Sequence, residues 1–216
     1  MPFSDPMADG PTIQESSVRS LSNGTKINDI FEIVINIRKF NNKTPIILMG
    51  YYNSIFNLGI DNFTAKCAET GVDGLIIVDL QPEEDSELLT KTREKGIDLI
   101  RLITPTTDQK RLTTILSNAS GFLYYVTVTG ITGQNSANIE DLKKSINTIK
   151  SSTKLPIVAG FGIKNKNDVE QISTFTDGVV VGSSIINIIK DNLNDKNKMI
   201  NEIKVFTKDL KEGIKE

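Results

Sequence analysis

DGLIIVDL, residues 73–80, decides the class of fold. The run Leu75-Ile76-Ile77-Val78 carries no polar alternation, so a strand here shows apolar side chains on both faces. Strands buried on both faces belong to parallel sheets covered by helices. The neighbouring segment agrees: the stretch Gln81–Lys95 starts with Pro82, Glu83 and Glu84, which suits a helix's first turn.

Moving outward, the same kind of run recurs at PIILMGYY (45–52), IDLIRLIT (97–104), GFLYYVTV (121–128), LPIVAGF (155–161) and DGVVVG (177–182). Helical stretches separate them. Lys26–Phe40 repeats apolar residues at Ile27, Ile30, Phe31 and Val34. Others are expected near 61–70, 108–117, 139–150, 165–173 and 183–191. A last helix, 197–214, sets Met199, Ile203, Phe206, Leu210 and Ile214 on one stripe. Alternation of strand and helix gives a doubly wound sheet or a (β/α)8 barrel. The barrel normally takes about 250 residues. At 216 residues the chain reads as a single domain, 1–216, one to two units short, with the missing length expected before Met1.

Composition excludes several functions. Lys and Arg number 25 against 27 Asp and Glu, with no basic stripe, so no nucleic-acid partner is expected. No apolar run approaches the roughly 18 residues of a membrane span. The first fourteen residues lack the apolar core of a signal peptide. Cys67 is the only cysteine, which rules out an intrachain disulfide and a cysteine-built metal cage. The chain has no histidine, so no imidazole base, no Ser-His-Asp triad and no His-ligated metal. Proton transfer would fall to carboxylates, Lys, Tyr or the substrate.

Working loops follow the carboxyl ends of strands in both architectures. Three such ends are glycine-rich: TGITGQN (129–135), GFGIKN (160–165) and GSS (182–184), the last opening directly into IINIIKDN. Glycines let backbone N–H groups approach an anion, and a helix N-terminus adds positive potential. Any one of these loops also fits a plain turn; three in consecutive units point to phosphate. Asp9 in ADGP and Asp5 each fit a turn as well as a site. Asp79 is either catalytic or orients a loop. In the pairs Tyr51/Tyr52 and Tyr124/Tyr125, each tyrosine taken singly is expected to pack in the core.

The opening segment PFSDPMADGPTIQ (2–14) strongly resembles the loop after the second barrel strand in the tryptophan synthase alpha subunit family. PIILMGYYN with a following F-x-x-G-I-D, GVDGLIIVDLQPEE, TGITG, GFGI and VVVGSSII occur in that family's order and near its spacing, so the resemblance spans essentially the whole chain. It implies a (β/α)8 barrel that splits indole-3-glycerol phosphate into indole and glyceraldehyde 3-phosphate by retro-aldol cleavage. Indole then passes to a beta subunit in an alpha2beta2 tetramer. Pyridoxal phosphate (PLP) belongs to that beta partner; no cofactor is implied for this subunit. The resemblance implies that Asp9 is catalytic, meeting the indole N–H as the ring tautomerises. It further implies that Gly133, Gly162, Gly182 and Ser183 bind phosphate. Tyr124, Phe161, Ile13, Met49 and Ile76 match the substrate pocket wall. Thr132 matches a loop threonine that closes over the site, and Asp5 a loop position that contacts the beta subunit.

The family's other catalytic carboxylate is a glutamate in the second strand, a few residues before the SDP motif. Because the chain begins at Met1-Pro2-Phe3, that glutamate, the first strand and most of the second are expected to be absent from it. Low stability and near-zero cleavage are the corresponding expectations for residues 1–216 alone. A second reading is therefore a weak or inactive relative that only binds the beta subunit. A third is another phosphate-binding barrel, such as an isomerase; the long loop 4–14 argues against it. Gln81, where the family often has proline, reads as loop variation. The cytoplasm is the default location, with a plastid left open.

Overall fold

In the computed structural model, residues 1–127, 136–160 and 162–214 are described. The elements alternate as expected: α1 (Pro11–Ser22), α2 (Ile27–Arg38), β1 (Ile47–Gly50), α3 (Tyr52–Leu58), α4 (Ile60–Thr70), β2 (Gly74–Ile77), α5 (Ser86–Glu94), β3 (Asp98–Leu99) and β4 (Arg101–Ile103). There follow α6 (Gln109–Ser117), β5 (Leu123–Val126), α7 (Ser136–Ser152), β6 (Ile157–Gly160), α8 (Lys166–Ile172), β7 (Gly178–Val179), α9 (Ser183–Asp191) and α10 (Lys196–Glu212). The residues group into two compact units: Met1–Leu102 with Thr113–Gly121, and Ile103–Leu112 with Phe122–Glu216.

The first unit holds the sheet β1-β2-β3, parallel throughout, with Leu48 opposite Leu75 and Met49 opposite Ile76. All four residues of β2 are buried, as a strand apolar on both faces requires. The core comprises Phe31, Val34, Leu48, Ile55, Phe63 and Leu75, with the Phe31 and Phe63 rings 5.7 Å apart. Cys67 lies in it, and burial pushes its thiol up to about 12.

Four local readings are corrected here. The segment 1–14 is not loop throughout: α1 begins at Pro11, whose fixed φ and missing N–H suit a first helical position. The strand at 45–52 stops at Gly50, and Tyr52 opens α3. The helix read from Gln81 starts at Ser86. The run 97–104 divides: the Ile100 N–H is still donated to the Leu75 carbonyl, at 2.9 Å, and from Arg101 the chain enters the second sheet, ordered β4-β5-β6-β7. The Asp85 carboxylate does not cap α5, because it pairs with the Arg101 guanidinium, both side chains being almost fully buried. Arg101 Nε has no hydrogen-bond partner among the described residues.

In the second unit, β5, β6 and β7 are parallel, with Tyr124 opposite Val158 and Val126 opposite Gly160. Leu123, Tyr125, Ile146, Ile157, Val169 and Ile172 are among its most buried side chains. The two units anchor strand starts by one device. Asp73 accepts the Ile46 N–H at 2.6 Å and the Arg38 guanidinium at 2.5 Å; Asp177 accepts the Ile157 N–H at 2.8 Å and Lys150 at 3.1 Å. Each aspartate precedes a glycine that starts a strand, so the pairing fixes register where the sheet begins.

Candidate active site

Asp9 is held by the loop that carries it. Its N–H is donated to the Pro6 carbonyl at 3.0 Å, and the Met7 N–H to the Asp5 carbonyl at 2.8 Å. From the first turns of α1, Gln14 Nε2 donates to the Asp9 carbonyl at 2.9 Å, so the new helix clamps the loop. The carboxylate meets Tyr51, just past the end of β1. The Tyr51 hydroxyl donates to Asp9 Oδ2 at 3.0 Å and accepts the Ala8 N–H at 3.0 Å. The Tyr51 ring stacks on Phe3, centroids 5.2 Å apart, and is only 3% exposed. Burial, with the Asp9 carboxylate adding to it and the Ala8 N–H opposing it, pushes the phenol up to about 12.

Asp9 opens onto a cavity of about 290 Å³ lined also by Ile13, Met49, Tyr51 and the α1 serines Ser16 and Ser20. Of the site residues expected in this unit, Asp9, Ile13 and Met49 thus share one cavity. Ile76 is buried beside Met49 in the sheet and is not among the lining residues. Asp5 is exposed and takes a 2.5 Å hydrogen bond from Ser4. Asp79 orients a loop: it accepts the Tyr52 N–H at 2.8 Å, satisfying the first amide of α3.

The second unit carries the glycine loops. Gly162 has φ +65°, a left-handed conformation that a side chain adopts only with strain. Gly182 is the residue before α9, and its carbonyl accepts the Ile185 and Ile186 N–H groups at 3.0 and 3.1 Å. Gly182 and Ser183 are exposed. Ser184 Oγ donates to the Ile163 carbonyl at 2.7 Å, tying the loop after β6 to the first turn of α9. The Ser184 bond holds the residue after Gly162 to the first turn of α9, the helix that Gly182 and Ser183 open. Tyr124 is partly buried and its phenol is raised by that burial. A Cβ on Gly160 would lie 2.6 Å from its hydroxyl, so the bare glycine makes room for the ring. Tyr125 points the other way, into a helix-side cavity of about 170 Å³ with Leu112, Ser145 and Thr148. Thr132, Gly133 and Phe161 lie outside the described residues.

Sequence reasoning missed Tyr51. Its position just past a strand's carboxyl end was the available signal, outweighed by the general preference of tyrosine for cores. Among the described residues no cluster of His, Cys, Asp and Glu is arranged to hold a metal ion, and no helix is long and apolar enough to cross a membrane.

The comparisons with known proteins agree with one another. A family profile described as tryptophan synthase alpha chain matches residues 1–215. The tryptophan synthase alpha chain of Petrotoga mobilis is 44% identical over 211 residues, covering 98% of this chain and 81% of that one. Among solved structures, the tryptophan synthase subunit alpha of Legionella pneumophila superposes with a TM-score of 0.91 at 36% identity, over 99% of this chain and 79% of its own. A chain of the Pyrococcus furiosus tryptophan synthase a2b2 complex gives a TM-score of 0.88 at 36% identity, over 97% of this chain and 83% of its own. The fold class is accordingly the α/β barrel of these relatives. The chain belongs to the tryptophan synthase alpha chain family.

Proposed function

We propose that Asp9 is the catalytic carboxylate of this chain, and that the chain is a lyase cleaving indole-3-glycerol phosphate to indole and glyceraldehyde 3-phosphate. The family carries out this half of tryptophan synthesis and works with a beta subunit in an alpha2beta2 complex, to which indole is handed on. Retro-aldol cleavage needs C3 of the indole protonated and a glycerol hydroxyl deprotonated; with no histidine in the chain, two carboxylates would divide that work, Asp9 at the ring nitrogen and the family's glutamate, which lies outside residues 1–216, at the hydroxyl and C3. Asp9 takes the indole N–H as the ring tautomerises. By the family resemblance, Ile13, Met49, Ile76, Tyr124 and Phe161 are assigned to the wall around the indole. Gly162, Gly182 and Ser183, with Gly133, take the phosphate, whose remote binding energy positions the reacting carbons. Thr132 closes over the site, and Asp5 faces the beta subunit. The subunit uses no cofactor of its own, PLP being the beta partner's, and acts in the cytoplasm.

The observation that carries this reading is the Asp9 carboxylate, fixed by Tyr51 and open to a cavity lined by Ile13 and Met49. The test is indole release from indole-3-glycerol phosphate in the presence of the beta subunit. Indole is extracted into an apolar solvent, away from the phosphorylated substrate, and quantified there. Asp9→Asn is expected to lower kcat by about 10²–10⁴-fold. Release unaffected by that substitution would refute the role of Asp9; no release from the unsubstituted chain would match the near-zero cleavage expected without the family's glutamate and favour the relative that only binds the beta subunit.

A further inference from the structure

The hydrogen bonding around Asp9 is one-sided. Oδ2 accepts from the Tyr51 hydroxyl at 3.0 Å, while among the described residues no donor reaches Oδ1. The tyrosine is itself locked: its oxygen accepts the Ala8 N–H, from the residue next to Asp9, and its ring is stacked on Phe3 and almost wholly buried. One phenol thus ties both the backbone before Asp9 and the Asp9 side chain to the end of β1. A carboxylate on a loop would otherwise rotate about two side-chain torsions, and catalysis suffers when a reacting group is misplaced by as little as about 1 Å.

We propose that Tyr51 is a positioning residue for the reaction: by occupying Oδ2 it turns Oδ1 toward the cavity to receive the indole N–H. This inference rests on the reading of Asp9 given above. The tyrosine takes up no proton and forms no bond to substrate. Because burial keeps the phenol protonated to about pH 12, it stays a donor throughout the working range. The arrangement also predicts selectivity, since an indole without an N–H loses its contact with Oδ1.

Tyr51→Phe keeps the ring stack and removes only the hydroxyl. Two ligands, indole and 1-methylindole, are titrated into the full chain with its beta subunit and followed by ligand fluorescence. The unsubstituted chain is expected to prefer indole by about tenfold, the worth of one charge-assisted hydrogen bond, and Tyr51→Phe to bring the two within about twofold. In the cleavage reaction Tyr51→Phe is expected to lower kcat by about ten- to a hundredfold with little change in KM, and to add almost nothing in an Asp9→Asn background, since the effect passes through Asp9. Preference for indole retained in Tyr51→Phe, or an equal loss of kcat in both backgrounds, overturns the role of Tyr51 while leaving Asp9 in place. An unsubstituted chain that shows no preference for indole over 1-methylindole overturns the reading of Asp9, and the inference with it.

Discussion

Alanine at position 160 would set a Cβ 2.6 Å from the Tyr124 hydroxyl and 2.8 Å from its Cε2. Ordinary contact begins at 3.4 Å, so the hydroxyl must retreat by about 0.8 Å, the gap between 2.6 and 3.4 Å. The backbone at 160 is poorly placed to yield, because β6 is paired with β5 on one side and β7 on the other. The Tyr124 ring is therefore what moves, out of a partly buried position. Overpacking of this kind costs about 1–3 kcal/mol. For a chain of this size each kcal/mol lowers Tm by about 2–4 °C, readable by circular dichroism. If Tyr124 forms the pocket wall, the displaced ring should also lower kcat/KM for indole-3-glycerol phosphate by about tenfold. The decisive comparison is Gly160→Ala in a Tyr124→Ala background, where the obstruction is gone and the added cost should fall below about 0.5 kcal/mol. An equal loss of stability with and without the tyrosine ring would refute the argument that Gly160 exists to seat it.

Two more expectations concern the polar groups of the first unit. Asp85→Ala leaves the Arg101 guanidinium buried and unpaired, and should cost about 3–5 kcal/mol in urea unfolding. Asp85→Leu with Arg101→Met together should cost far less, and a double cost equal to the sum of the two single costs would contradict it. The other expectation is at alkaline pH. The Tyr51 phenol is raised from 10.0 to about 12 in the folded chain, so its contribution to stability is complete below pH 10 and is lost as pH rises from 10 to 12. Tyr51→Phe should flatten that part of the stability curve; superimposable curves would show that Tyr51 is not raised.

Much of the architecture was legible because buried parallel strands are written in short apolar runs, and a run such as Leu75–Val78 has little else it can be. The helices missed at Pro11–Ser22 and Tyr52–Leu58 show where that legibility stops. PTIQESSVRSLS has no buried residue, so its apolar pattern is weak and its proline reads as a turn. YNSIFNL is one short stretch whose first amide is satisfied by Asp79, twenty-seven residues away. The division of 97–104 depended likewise on which neighbouring strand each N–H found.

For the site, the sequence by itself determined the family, the loop bearing Asp9 and the glycine-rich strand ends, because these are local strings whose backbone demands are fixed by proline and glycine. It left Asp79 undecided between catalysis and support, and it put Tyr51 in the core, where the structure buries it, without showing what its hydroxyl meets. The partners of both came from folding: the hydrogen bond between Tyr51 and Asp9 spans forty-two residues and the one between Asp79 and Tyr52 spans twenty-seven. Both tyrosines come after β1, yet the phenol of Tyr51 meets the candidate catalytic carboxylate, while Tyr52 gives its amide to Asp79 and its ring to Phe56. Which does which is set by the facing groups that folding brings, and no local pattern of residues contains them.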